Sequence, residues 1–160
     1  MLALLSIFYG LLWTLMDSYG LLYIVDDEAD YRFILQKVFS HFLSSYPVRF
    51  FSDGHALLET LSLIEEKPNL ILLDRHMPNL NGQQTLLQLK QHPTYHKIPV
   101  VMMSAEASLA EIEASYEAGV NSFLFKSKDL PSLKNKMTAI CQYWLELNWE
   151  PVKPIKVKVT

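Results

Sequence analysis

Three short runs in this chain are apolar at nearly every position: LLYIV (21–25), LILL just ahead of Asp74, and PVVMM (99–103). A strand with one wet face alternates apolar and polar residues. A continuous apolar run of strand length belongs in a sheet covered on both faces. VRFFS (48–52) and NSFLF (121–125) complete a set of five strand-like runs. Helical segments stand between them. ADYRFILQKVFSHFLSS (29–45) places Phe33, Ile34, Val38, Phe42 and Leu43 near a helical period. Asp53 can cap a helix over 54–66, which Pro68 ends; Pro93 stops another over 83–92. A helix over 108–119 ends at Gly119, and one over 129–148 carries Pro131 in its first turn. MPNLNG (77–82) is a loop by its Pro, Asn and Gly content. Five strand–helix units predict an α/β fold: a parallel sheet with helices on both faces, joined by right-handed connections.

The 160 residues suffice for one domain, and a net charge of −3 gives no sign of nucleic-acid binding. The single cysteine, Cys141, excludes an internal disulfide, fits a reducing, cytoplasmic setting, and reads as a core residue. The domain is expected over 19–148, preceded by an apolar extension (1–18) and followed by a short basic tail (149–160). Residues 1–16 carry no charge. They are short for a spanning helix, which needs about 20 apolar residues, and lack the basic start of a signal peptide. A membrane anchor, a packed extra helix or dimer contact, and an upstream start ahead of Met16 all fit them. The tail, with Lys153, Lys156 and Lys158, suits an added edge strand or a solvated end.

Ligands of open parallel sheets bind outside the carboxyl ends of the strands. At those ends stand Asp26 and Asp27 after the first run, Asp74 after the third, Ser104 after the fourth and Lys126 after the fifth. Three clustered carboxylates repel one another and call for a cation. Oxygen-only ligands favour Mg²⁺, which commonly takes one or two carboxylates together with phosphate oxygens. Glu28 and Asp30 read as charges at a helix start. His41, His55, His92 and His96 lack ligand spacing and receive no role.

This constellation resembles the receiver domain of two-component response regulators over about residues 19–147. The resemblance rests on Asp26–Asp27, on DRHMPNLNG with Asp74, Met77, Pro78 and Gly82, on Ser104–Ala105, on Phe123 and on Lys126. It implies a doubly wound five-stranded sheet in the flavodoxin-like order 2-1-3-4-5. It implies that Asp74 accepts a phosphoryl group from a histidine kinase or phosphotransfer protein, with Mg²⁺. Asp27 would be the main metal ligand and Asp26 would act largely through water. Asp74 and the His76 backbone carbonyl would complete the protein's share. Lys126 and Ser104 would bind phosphoryl oxygens, Ser104 and Phe123 would switch together, and His76 and Glu106 would tune the lifetime of the phosphoryl group. The output would pass through the face of the fourth helix, fifth strand and fifth helix to a downstream protein or a second copy of the chain, without nucleic-acid binding by the domain itself.

Two departures matter. The family commonly has a cis proline after the lysine, and this chain has Ser127. A cis bond without proline costs about 2.5–4 kcal/mol, so the loop after the fifth strand must absorb that strain or go trans, and an altered loop there is expected. A receiver-like interaction module that no longer takes phosphate is the main alternative, and Ser127 speaks for it. A small hydrolase using Asp74 as nucleophile would want an acid two residues on, where His76 stands.

Overall fold

The computed structural model describes residues 20–148. The expectations for 1–18 and for 149–160 lie outside these residues. Among the described residues no helix is long and apolar enough to cross a membrane.

Five strands form the sheet: β1 (Leu22–Val25), β2 (Val48–Phe51), β3 (Leu70–Asp74), β4 (Val100–Ser104) and β5 (Ser122–Phe125). Five helices alternate with them: α1 (Ala29–Phe42), α2 (Gly54–Leu63), α3 (Gly82–Gln91), α4 (Leu109–Glu117) and α5 (Leu130–Cys141). The strand order is β2-β1-β3-β4-β5, and all pairings are parallel. The chain therefore reverses its direction of winding between β1 and β3, which opens a crevice at their carboxyl ends.

The apolar strands are buried on both faces, as their composition requires. Side chains alternate across the pleat. Leu22, Ile24, Leu70, Leu72, Val101 and Met103 face one core with Leu35, Val38 and Phe39 of α1 and Leu133, Met137 and Ile140 of α5. Tyr23, Val25, Ile71, Leu73, Val100 and Met102 face a second core with Leu57 and Leu61 of α2 and Leu86 and Leu89 of α3.

Local signals set the helix ends. Asp53 caps α2 by accepting from Ala56 N at 2.8 Å. Asn81–Gln84 and Ser108–Glu111 form capping boxes on α3 and α4. Gly119 takes a positive φ of 92° after α4, a conformation that glycine adopts freely.

Two sequence expectations are corrected. In α1 the sheet-facing stripe is Leu35, Val38 and Phe39, while Phe33, Ile34 and Phe42 are exposed. The segment is apolar over more than one face, and contact with the sheet decides which is covered. Phe42 lies instead against the ammonium of Lys134, 4.5 Å from the ring centroid. The last helix is not uniform: α5 passes into a π-helical stretch over Gln142–Leu147. Glu146 of that stretch accepts a hydrogen bond from the Tyr46 hydroxyl.

Candidate functional site

β1 delivers Asp26, which is 0% exposed, and β3 ends in Asp74 at 1%. The following loop is pressed against α3. An added Cβ on Gly82 would lie 2.1 Å from the Asp74 carbonyl oxygen, so only glycine allows this approach. Gly82 N–H donates to the Arg75 carbonyl at 3.0 Å, which fixes the turn.

Lys126 enters from the end of β5. Its backbone N–H donates to the Ser104 carbonyl at 2.8 Å. Its Nζ lies 2.8 Å from Asp26 Oδ2, 2.9 Å from Glu28 Oε1 and 3.2 Å from Asp74 Oδ2. No cis peptide bond occurs among the described residues, so Lys126–Ser127 is trans. In that form the lysine still reaches Asp74 without a proline behind it.

Burial first, and then the charge of Asp26, push the pKa of Asp74 up to about 7 against the pull of Lys126. Burial likewise raises Asp26 and outweighs its ion pair with Lys126. Burial works against the charge of Lys126, but the hydrogen bonds to Asp26 and Glu28 prevail and hold its pKa above the usual lysine value.

The oxygens of Asp26, Glu28 and Asp74 come within 4.8 Å of one another. These are the acids that surround Lys126, so they already share a counter-charge. The oxygens that lack one are elsewhere. Asp27 Oδ1 and Asp74 Oδ1 are buried and have no hydrogen-bond partner. Asp27 also lines an open cavity of about 520 Å³ with Arg75, His76, Met77 and Asn81. Hard, uncompensated oxygen donors beside such a cavity fit a divalent cation of the magnesium class.

The other predicted residues take their places around this centre. Ser104 is buried, and its Oγ donates to the Glu106 carbonyl at 2.5 Å. The side chains of Glu106 and His76 are exposed, with His76 Nε2 3.0 Å from Arg75 Nη1. Phe123 is half-buried against the second core and meets Phe125 edge-on at 5.9 Å between centroids. Sequence reasoning missed three residues. Glu28 read as a helix-start charge and turns out to hold Lys126. Tyr31 lays its ring beside the same ammonium. Arg75 pairs with Glu111 at 2.7 Å, tying the loop after β3 to α4. Each contact joins segments far apart in the chain, so no local spacing announces it.

The model of the response regulator receiver domain matches residues 22–138. The chain belongs to the response regulator receiver family. Response regulator Rcp1 of Synechocystis is 34% identical over 131 residues, covering 79% of this receiver and 88% of Rcp1. A probable methanogenesis regulatory protein, FilR2 of Methanothrix harundinacea, is 29% identical and covers 80% of the receiver and 85% of its own length. Among solved structures, the Mn²⁺-bound form of Rcp1 aligns with a TM-score of 0.73 at 30% identity, over 83% of the receiver and 99% of that chain. The phosphorylated cyanobacterial phytochrome response regulator RcpA aligns with a TM-score of 0.76 at 27% identity, over 84% and 99%. The alignments thus span 85–99% of the length of each of these relatives.

Proposed function

We propose that this receiver takes a phosphoryl group on Asp74 from a phosphohistidine of a histidine kinase or phosphotransfer protein, and passes the signal to a partner protein by a conformational shift. The observation that carries the reading is the state of the Asp74 carboxylate. Its Oδ2 is 3.2 Å from the Lys126 ammonium, while its buried Oδ1 has no partner. That is a nucleophile with its counter-charge in place and one oxygen uncommitted.

Asp27 and Asp74, with Asp26 and the His76 backbone carbonyl in support, would hold Mg²⁺. The ion would supply neutralisation of the phosphoryl oxygens and of the crowded carboxylates. A carboxylate oxygen of Asp74 attacks phosphorus and a P–O bond forms. The P–N bond to the donor imidazole breaks, its electron pair stays on nitrogen, and that nitrogen takes a proton from solvent. Lys126 turns from Asp74 to a phosphoryl oxygen, and Ser104 leaves the Glu106 carbonyl to donate to another. Phe123 then moves into the space that Ser104 vacates, which alters the α4–β5–α5 face presented to a downstream protein or a second copy of the chain. Side chains at His76 and Glu106 flank the site and set how water reaches the acyl phosphate. A cytoplasmic setting, where such donors reside, agrees with the single thiol.

The test uses the full chain with Mg²⁺ and acetyl phosphate. Wild type should form a base-labile acyl phosphate, seen by intact-mass analysis, and Asp74→Ala should not. Equal labelling of both, or none of the wild type, would remove Asp74 from the role.

A further inference from the structure

Lys126 is held by more than its acids. Its Nζ lies 4.6 Å from the centroid of the Tyr31 ring on the first turn of α1, within the range at which an ammonium is attracted to an aromatic face. The ammonium donates a hydrogen bond to Glu28 and forms ion pairs with Asp26 and Asp74. The ring lies alongside this cage. Tyr31, Lys126 and Glu28 all line one groove of about 620 Å³, together with Ser127 and Lys128. Even so, the Lys126 side chain is only 7% exposed. The Tyr31 hydroxyl and Ser127 Oγ are buried without a hydrogen-bond partner, so no hydrogen bond of the hydroxyl explains why an aromatic stands here.

We propose that Tyr31 is a positioning residue: its ring holds the Lys126 ammonium toward Asp74 at the edge of the groove that both residues line. This inference rests on the phosphoacceptor reading of Asp74 and deepens it. The peptide after Lys126 is trans and Ser127 brings no ring of its own. The aim of the lysine therefore comes from side-chain contacts, and Tyr31 is the apolar member of that set. Of the three acids, Glu28 is largely exposed, so water competes for its oxygen. Without the ring, one side of the ammonium loses its aromatic contact, and the lysine samples positions away from Asp74.

The test compares Tyr31→Phe, which keeps the ring, with Tyr31→Met, which keeps bulk without it. Rates of Asp74 phosphorylation by acetyl phosphate are read at saturating Mg²⁺, with thermal unfolding of each variant alongside. Tyr31→Phe should match wild type, and Tyr31→Met should be slower by roughly three- to tenfold. In the metal-free wild type, the Lys126 ε-methylene protons should be shifted upfield by the ring, and the shift should survive in Tyr31→Phe alone. A Tyr31→Met rate equal to wild type, or a Tyr31→Phe rate as slow as Tyr31→Met, overturns the proposal. Unshifted Lys126 methylenes in the wild type overturn it whether or not Tyr31→Met folds. A wild type that takes no phosphoryl group sinks the reading of Asp74 instead, and the methylene shift still decides the role of Tyr31.

Discussion

Asp74→Asn should stabilise the metal-free protein, and by an amount that grows with pH. In the unfolded chain this carboxyl titrates near 3.8, and in the fold near 7, chiefly because it is buried and next because Asp26 is charged. A raised carboxyl keeps its proton in the native state after the unfolded state has lost it. Stability therefore falls as pH rises from about 4 to about 7, and stays low above that. At about 1.4 kcal/mol per pH unit, the full penalty is of order 4 kcal/mol. The amide is neutral at every pH and escapes it. Urea unfolding in the presence of a chelator reads the difference. At pH 8 the variant should exceed wild type by about 2–4 kcal/mol, and at pH 5 by roughly a third of that gain. Adding Mg²⁺ at pH 8 should close much of the gap by raising wild type alone. A variant no more stable than wild type at pH 8, or one whose gain is the same at both pH values, would refute the account of a carboxylate whose burial outweighs its ion pair with Lys126.

Three further outcomes follow from the packing. Gly82→Ala sets a methyl group against the Asp74 carbonyl; it should cost about 1–3 kcal/mol in urea unfolding and slow labelling of Asp74 by displacing the loop. Leu72→Ala empties a fully buried position between β1 and β4 and should cost about 2–5 kcal/mol by the same assay. Burial, and then the charge of Glu146, push the Cys141 thiol up to about 12; it should react with a thiol reagent in the native state only at the rate of local opening, and fully in urea.

The strands were legible because a run such as LILL has no polar residue to turn toward water. The site was legible for a related reason: Asp26, Asp74 and Ser104 each follow directly on such a run and Lys126 follows the fifth strand, so the topology alone brings them together. The face of α1 was not, because Phe33, Ile34 and Phe42 are as apolar as Leu35 and Phe39. The choice between them is made by a sheet assembled from distant segments. Glu28 and Tyr31 escaped for the same reason, since their partner Lys126 is reached only through the fold, 98 residues beyond Glu28.

The sheet divides the interior into two compartments that share strands but not side chains. Leu72 and Leu73 are adjacent in the chain, yet one belongs to the compartment under α1 and α5 and the other to that under α2 and α3. Changes on opposite sides should combine nearly additively, and changes on one side should not. The groove beside Lys126 borders α1 and α5, while the cavity beside Asp27 borders α3 and α4. Such a molecule can be edited in halves: the side beside the groove can be recut to suit a new neighbour without retuning the packing behind the cavity beside Asp27.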